Sequence, residues 1–156
     1  MKEKKQDRPI LVPVDFSPYS EAALLFAADL AECVDKPLLV LHVVHDPGEM
    51  PGFYDRTIKT KQLQRIEDAA ADMLSEFLRN VRARHSAPKA LQRAEPLLVK
   101  GLPRNRILEV AEQKKAGMIV MGSKGETGLK HLLLGSVAER VVQLASVPVT
   151  VVKKPN

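Results

Sequence analysis

Five short apolar runs, each rich in valine, isoleucine and leucine, constrain the fold of this chain more than any other feature of its sequence. None of them alternates cleanly with polar residues, so each predicts a strand that is buried on both faces, as in a parallel sheet with helices on either side. We predict strands over residues 10–14, 38–44, 97–99, 118–121 and 147–152.

The segments between these runs place their apolar residues at helical spacing. Amphipathic crossover helices are predicted over residues 20–34, 60–84, 104–115 and 136–145. Ser17 before Pro18 is a candidate N-cap with a first-turn proline, and Ser136 with Glu139 has the spacing of a capping box. The alternation βαβαβαβαβ predicts an α/β fold, a single doubly wound five-stranded parallel sheet with helices on both faces, which is Rossmann-like.

Length and charge favour one globular domain with short tails. The chain has 156 residues, the usual size of a single domain. Its formal charge is +5, but residues 1–8 and 153–156 carry +4 of it, and tryptophan is absent, so a nucleic-acid surface is not expected. We predict a basic N-terminal tail over residues 1–8, one domain over residues 9–153 and a C-terminal tail over residues 154–156.

Hydropathy and cysteine usage indicate a cytoplasmic protein. No apolar run approaches the roughly 20 residues of a bilayer span, and the first residues contain no apolar stretch suited to a signal peptide, so no membrane insertion is expected. The single cysteine, Cys33, has no partner for an internal disulfide, in agreement with a reducing compartment. Its position on the first predicted helix predicts a packed side chain rather than a reactive one.

Asp15 follows the first predicted strand directly. Ligands of open α/β sheets bind outside the carboxyl ends of the strands, so the residues that follow each strand are the first candidates for a site. A carboxylate at the end of a buried strand either caps the next helix or meets a ligand hydroxyl or a metal ion. The sequence leaves both interpretations of Asp15 open.

Half of the eight glycines lie in the 14 residues that follow the fourth predicted strand, a region ending in Gly135 and Ser136. Clustered glycines let consecutive backbone N–H groups approach an anion, and a helix N-terminus adds further donors and a favourable dipole. The segment predicts a polyphosphate cradle. The alternative is a glycine-rich loop that only leads into a capped helix.

Other site chemistries find less support in the sequence. The turn after the first strand has no glycine, which disfavours NAD or FAD binding, and the Walker-like spacing from Gly117 ends in Gly-Ser-Lys with its interior in a strand. His42 and His45 lie three apart in a strand and therefore point to opposite faces, which favours a structural His42 and an exposed His45 over a metal pair. The one long loop-like segment, residues 45–55, is either a mobile flap or a plain surface connection, and we favour the second.

Several segments together resemble the universal stress protein family. The pattern Gly122-x2-Gly125-x9-Gly135-Ser136 has the G-x2-G-x9-G-[ST] form of the members that bind ATP. The resemblance runs from Arg8 to Lys153 and includes ILVPVDFS, LLVLHVV, VKGLPRNRILEVA, MIVMGSKG, LLLGSVAERVV and VPVTVV. It implies the adenine nucleotide alpha hydrolase-like variant of the Rossmann-like fold.

The resemblance also implies a set of nucleotide-binding residues. Asp15 is similar in position to an aspartate near the ribose or the divalent ion, so it is a possible ligand of Mg²⁺ or Mn²⁺ accompanying the phosphates of ATP. Lys124 stands where other members have a basic residue or histidine, and its side chain either reaches a phosphate or points to solvent. The implied adenine and ribose side is Pro13, Val14, Asp15 and Val43, and the implied ribose and phosphate side is Met121, Gly122, Ser123, Gly125, Gly135, Ser136 and Val137.

Members of the family pair through their last strand, so the resemblance implies a homodimer formed by the segment from Val147 to Val152. An unpaired apolar edge there agrees with such pairing. The function implied is an ATP-binding, nucleotide-dependent regulatory module of the stress response. The alternatives are a slow Mg-dependent ATPase and a dimerisation module that binds no nucleotide. We identify no catalytic residue, and the downstream protein partner is unknown from the sequence.

Overall fold

Five parallel strands alternate with helices in the computed structural model, which describes residues 8–45, 60–125 and 133–154, without the side chains of residues 60–63. This arrangement confirms the predicted fold class. The elements in chain order are β1 (Ile10–Pro13), α1 (Pro18–Val34), β2 (Leu38–His45), α2 (Thr60–Arg84), α3 (Lys89–Gln92), β3 (Glu95–Gly101), α4 (Pro103–Gln113), β4 (Met118–Gly122), α5 (Ser136–Leu144) and β5 (Val149–Val152).

The sheet has the strand order β3-β2-β1-β4-β5, with every neighbouring pair parallel. From β1 the chain winds outward to β2 and β3, then crosses back to β4 and continues to β5. The winding therefore reverses between β1 and β4. Doubly wound sheets have a crevice at the carboxyl ends of the strands at this point, and ligands bind there.

Both faces of the sheet are buried, as the unbroken apolar runs predict. In β1, Ile10 and Val12 belong to the core under α1, α2 and α3, whereas Leu11 belongs to the core under α4 and α5. Successive side chains of a strand point to opposite faces, so each strand supplies apolar residues to two separate cores. Both layers of helices are thereby held against one sheet.

The helix starts show one correct and one wrong prediction. Ser17 is the N-cap of α1, and its hydroxyl accepts a hydrogen bond from the backbone N–H of Ser20 at 3.2 Å. The capping box at Ser136 is wrong, because Ser136 is the first residue of α5 and the N-cap is Gly135, which has no side chain to offer. Gly135 adopts an extended conformation and donates its N–H to the carbonyl of Ser123 at 2.7 Å.

Three further points differ from the sequence-based expectations or lie beyond them. The one-turn helix α3 was not predicted, and β3 is longer than expected because it pairs with β2 along its whole length, from Glu95 to Gly101. Cys33 is exposed, so its predicted packing is wrong: α1 turns that position away from the sheet. Most of the loop predicted over residues 45–55 lies outside the described residues.

The structure also bears on membrane insertion. Of the helices in the described ranges, none combines the length and the apolar composition that crossing a bilayer requires.

Candidate functional site

A cavity of about 430 Å³ opens at the carboxyl edge of the sheet, where the winding reverses. Its walls come from the ends of β1, β2 and β4 and from the first turns of α4 and α5. Volumes of this size are typical of small-molecule sites. The lining residues are Pro13, Val14, Asp15, Ser20, Leu41, His42, Val43, Pro103, Ile107, Met121, Gly122, Lys124, Gly125, Gly135, Ser136, Val137 and Ala138.

Asp15 lies just past the end of β1, and the two oxygens of its carboxylate face different partners. Oδ1 accepts hydrogen bonds from the backbone N–H and the hydroxyl of Ser17, at 3.1 and 2.5 Å. Oδ2 points towards Gly125, since a Cβ atom built on that glycine would lie 2.9 Å from it. One oxygen therefore holds the turn into α1. The other is directed at Gly125 in the segment that follows β4, which we call the glycine loop. Asp15 thus supports the start of α1, whose N-cap is Ser17, while contact of Asp15 with a ligand or a metal ion stays a prediction.

The glycines after β4 allow close approaches that a side chain would block. A Cβ atom on Gly122 would lie 2.9 Å from the backbone carbonyl of Tyr19, so only glycine lets the end of β4 pass the first turn of α1. Gly135 also lies near this loop, but a Cβ atom there would meet the Cα atom of Lys124 at 3.4 Å, an ordinary van der Waals contact. The loop beyond β4 and the start of α5 are thus brought together at the cavity.

Ten of the eleven residues predicted from the resemblance line the cavity, and Ser123 does not. Its side chain is buried, with only 3% of its surface exposed. Its backbone N–H donates to the carbonyl of Val152 in β5, and its own carbonyl accepts from Gly135. Ser123 therefore anchors the glycine loop to the last strand. Whether these residues bind a nucleotide stays a prediction.

The structure adds lining residues that sequence reasoning did not assign. Pro103 and Ile107 start α4, directly after β3, and the rule that ligands bind after strands could have found them. Ser20 faces the cavity from α1 and also accepts a hydrogen bond from the N–H of Asp15 at 3.3 Å. Lys124, for which the sequence left open whether the side chain reaches a phosphate or points to solvent, also lines the cavity and is opposite in charge to Asp15.

His42 is held in a fixed orientation at the floor of the cavity. Its Nδ1 lies 2.8 Å from the carbonyl oxygen of Val14, which only accepts, so Nδ1 carries the proton and donates. The imidazole stacks on the ring of Phe16 with centroids 4.3 Å apart. His45 is exposed at the end of β2. A structural His42 and an exposed His45 are therefore confirmed.

The described residues offer few protein ligands to a divalent cation at the cavity. Across residues 8–45, 60–125 and 133–154, no group of three or more histidine, cysteine, aspartate or glutamate side chains is placed to hold a metal ion. Asp15 is the acidic residue of the cavity lining. Such a site fits Mg²⁺ that is bound by one carboxylate together with ligand phosphates, since Mg²⁺ is rarely held by protein groups alone.

The cavity as a whole suits an elongated ligand with an apolar end and an anionic end. Leu41, Val43 and Ile107, which belong to one apolar cluster, give one part an aliphatic wall. The other part has Lys124, the glycine loop and the N-terminus of α5, whose first backbone N–H groups have no side-chain cap. An anionic group is stabilised at the second part and a flat apolar group at the first.

A doubly wound parallel sheet with its cavity at the switch point is a Rossmann-like domain, and comparisons with known proteins identify the family. The model of the universal stress protein family matches residues 8–153. The chain therefore belongs to the universal stress protein family.

Individual relatives agree with this assignment. The chain is 36% identical to universal stress protein MJ0531 of Methanocaldococcus jannaschii, over 96% of this chain and 84% of the relative. The solved structure of the universal stress protein UspA from Lactobacillus plantarum is 26% identical, with a TM-score of 0.75 over 94% of this chain and 97% of that one. The universal stress protein from Archaeoglobus fulgidus in complex with dAMP is also 26% identical, with a TM-score of 0.62 over 92% and 96%.

Proposed function

We propose that this chain binds ATP together with Mg²⁺ in the cavity at the carboxyl edge and acts as a nucleotide-dependent regulatory module of the stress response. The observation that carries the proposal is the placement of Asp15, Lys124 and the uncapped start of α5 around one cavity with an aliphatic wall. The dAMP complex of the Archaeoglobus fulgidus relative supports an adenine nucleotide as the ligand class.

The base and the phosphates occupy different parts of the cavity in this proposal. The adenine packs against the aliphatic wall, to which β2 contributes Val43 and α4 contributes Ile107. The phosphates lie at Lys124, Gly125 and Ser136, because backbone N–H groups at a helix start and a lysine ammonium both stabilise phosphate charge. The glycines keep the backbone free of side chains that would obstruct this contact.

Asp15 gives the site its acidic group, and its Oδ2 is directed towards the glycine loop that holds the phosphates. When bound, Mg²⁺ would neutralise phosphate charge. Asp15 holds the cation on the protein side, while Ser17 keeps the carboxylate oriented through Oδ1. Mn²⁺, which prefers the same oxygen ligands, is expected to substitute.

We test this function on the purified protein in two ways. Acid extraction followed by chromatography identifies any nucleotide that co-purifies, and isothermal titration of nucleotide-free protein measures the affinity for ATP with and without Mg²⁺. The expected results are an extracted adenine nucleotide and an affinity for ATP that Mg²⁺ increases. No binding of ATP, ADP or AMP to the folded protein would refute the proposal and leave the dimerisation module as the better interpretation.

Phosphate release under multiple-turnover conditions separates a regulatory binder from an ATPase. A regulatory module retains ATP, with little release of phosphate over hours. Sustained turnover that is abolished by Asp15→Asn would show that the slow ATPase is the correct alternative, since the variant removes the negative charge that holds the cation.

A further inference from the structure

Phe16 has an unusual backbone conformation for a bulky residue. It lies between Asp15 and Ser17 in the turn from β1 to α1, and its φ is +67°. A side chain with a Cβ atom is strained at positive φ, and glycine or asparagine is the usual residue there. Such an outlier persists only when surrounding contacts hold it in place.

Two aromatic contacts hold the ring of Phe16. The imidazole of His42 stacks on it at 4.3 Å with 28° between the ring planes, and the ring of Phe77 in α2 packs at 5.5 Å with a tilt of 60°. His42 is itself fixed by the hydrogen bond from its Nδ1 to the carbonyl of Val14. Phe77 is buried in the core under α1 and α2. The ring of Phe16 is thus clamped between β2 and α2.

The clamped turn determines where the carboxylate of Asp15 points. A residue at positive φ reverses the chain sharply, so the N–H and the hydroxyl of Ser17 come back to Oδ1 of Asp15. With Oδ1 held in this way, Oδ2 is directed at Gly125. Without the clamp, the turn is free to relax to negative φ, and the two hydrogen bonds from Ser17 no longer fix the carboxylate.

We infer that Phe16 is a positioning residue: its ring, clamped between His42 and Phe77, holds the strained turn that aims the carboxylate of Asp15 into the nucleotide site. The inference rests on the proposed function, because the carboxylate is aimed at a nucleotide and its cation. Phe16 itself is absent from the cavity lining that the structure describes. It acts on the ligand only through Asp15.

A double-mutant cycle with Asp15→Asn tests the inference, with Mg-ATP affinity measured by isothermal titration. Phe16→Ala removes the ring and is expected to weaken binding at least about tenfold, the size of a lost charge-assisted contact. In the Asp15→Asn background the same change is expected to have almost no further effect, because Phe16 acts through that carboxylate. The inference would be overturned if the double variant lost Mg-ATP affinity by the product of the two separate fold-changes. Such a result would mean that Phe16 acts independently of Asp15.

Two further variants separate positioning from backbone strain and from loss of fold. Phe16→Gly lacks the ring but adopts positive φ without strain, so we expect it to keep the turn and to bind Mg-ATP more tightly than Phe16→Ala. Phe16→Tyr keeps an aromatic ring and is expected to keep the wild-type affinity. An affinity of Phe16→Gly as low as that of Phe16→Ala would overturn the inference, because relief of the strain would then not restore the turn.

A crystal structure of the nucleotide-free Phe16→Ala variant keeps this test apart from that of the proposed function. If the wild type binds no nucleotide, the proposed function fails, but the position of Asp15 in the variant still decides the inference. A carboxylate that has turned away from Gly125 supports the positioning role. A carboxylate unchanged from the wild type overturns it.

Discussion

Gly125 is the residue at which the glycine loop and the acidic group of the cavity meet. We predict that Gly125→Ala weakens Mg-ATP binding about tenfold or more, because the new methyl group lies 2.9 Å from Oδ2 of Asp15 and forces the carboxylate to move. The atom it meets is the end of a side chain, so the fold is expected to survive. Isothermal titration measures the affinity, and circular dichroism checks the fold.

Gly117 provides the matched control at the opposite edge of the sheet. A Cβ atom there would lie 3.1 Å from the Cβ atom of Arg8, so Gly117→Ala also inserts a methyl group into a close contact. It is expected to lower stability slightly and to leave nucleotide affinity unchanged. Equal affinity of the Gly125→Ala variant and the wild type would contradict the proposed site.

Lys124 is the cationic side chain of the cavity lining. We predict that Lys124→Met weakens ATP binding about tenfold while the affinity for adenosine stays unchanged, because the ammonium interacts with phosphates and not with the base. Lys114→Met, an exposed substitution at the end of α4, serves as the control for the loss of one positive charge. An equal loss for ATP and adenosine would show that Lys124 supports the site in some other way.

Individual site residues were predicted from their position after strands. That rule explains which residues of the cavity were predicted and which were missed. Asp15 and Gly125 follow β1 and β4 directly, so their convergence on one cavity was predictable. The stacking of His42 on Phe16 could not be predicted. It depends on the positive φ of Phe16 and on the contact between the turn after β1 and the neighbouring strand β2. Sequence spacing carries no information about such a contact.

The start of α1 depends on a single hydroxyl. Ser17 is buried, caps the helix through the N–H of Ser20 and donates to Asp15. We predict that Ser17→Ala lowers the free energy of unfolding by about 1–2 kcal/mol, the usual value of an N-cap. Urea unfolding measures the change, and Ser75→Ala on the exposed face of α2 is the control, expected to differ from the wild type by less than about 0.5 kcal/mol. An equal effect of both variants would argue against the capping role.

The elements that the sequence predicted well are those whose signal is local and repeated. The 25 residues of α2 were predicted with the bounds that the structure shows, because its apolar spacing continues over many turns. The helix α3 has four residues, too few to show a period. The N-cap of α5 was misassigned by one residue, although the start of the helix at Ser136 was predicted correctly, because the hydrogen bond between Gly135 and Ser123 joins segments whose approach is visible only in three dimensions.

At the scale of the whole molecule, β5 forms an edge of the sheet that no other strand of the described residues pairs with. The carbonyls of Pro148 and Val152 bond to β4, so the backbone groups of the alternate residues Val149 and Val151 face away from it. Two exposed apolar side chains of α5, Val142 and Leu144, come shortly before this strand in the chain. This edge is where the predicted homodimer would pair.

We predict that Val151→Pro converts the dimer to a monomer and has little effect on the fold. Proline removes the outward-facing N–H, whereas the hydrogen bonds between β5 and β4 use other residues. Light scattering coupled to gel filtration, over a range of protein concentrations, measures the molecular mass. Val151→Thr retains the N–H and is expected to remain dimeric. A monomeric wild type, or a dimer in the Val151→Pro variant, would place the interface elsewhere or remove it.

The burial of the sheet on both faces has a consequence for how strand alignment is specified. In a sheet with one solvent-exposed face, a slip of one residue moves polar side chains into the core and apolar side chains into solvent. The native register is therefore strongly favoured. Here a slip of one residue in β1 would move Leu11 to the opposite face of the sheet and bring Ile10 or Val12 into its place. Both cores would then still contain only apolar side chains from β1. Alignment must therefore come from fixed tethers at the strand ends, such as the bond from the N–H of Gly117 to the carbonyl of Pro9. Changes to these short connections would therefore alter the register of the strands more than substitutions in the two cores would.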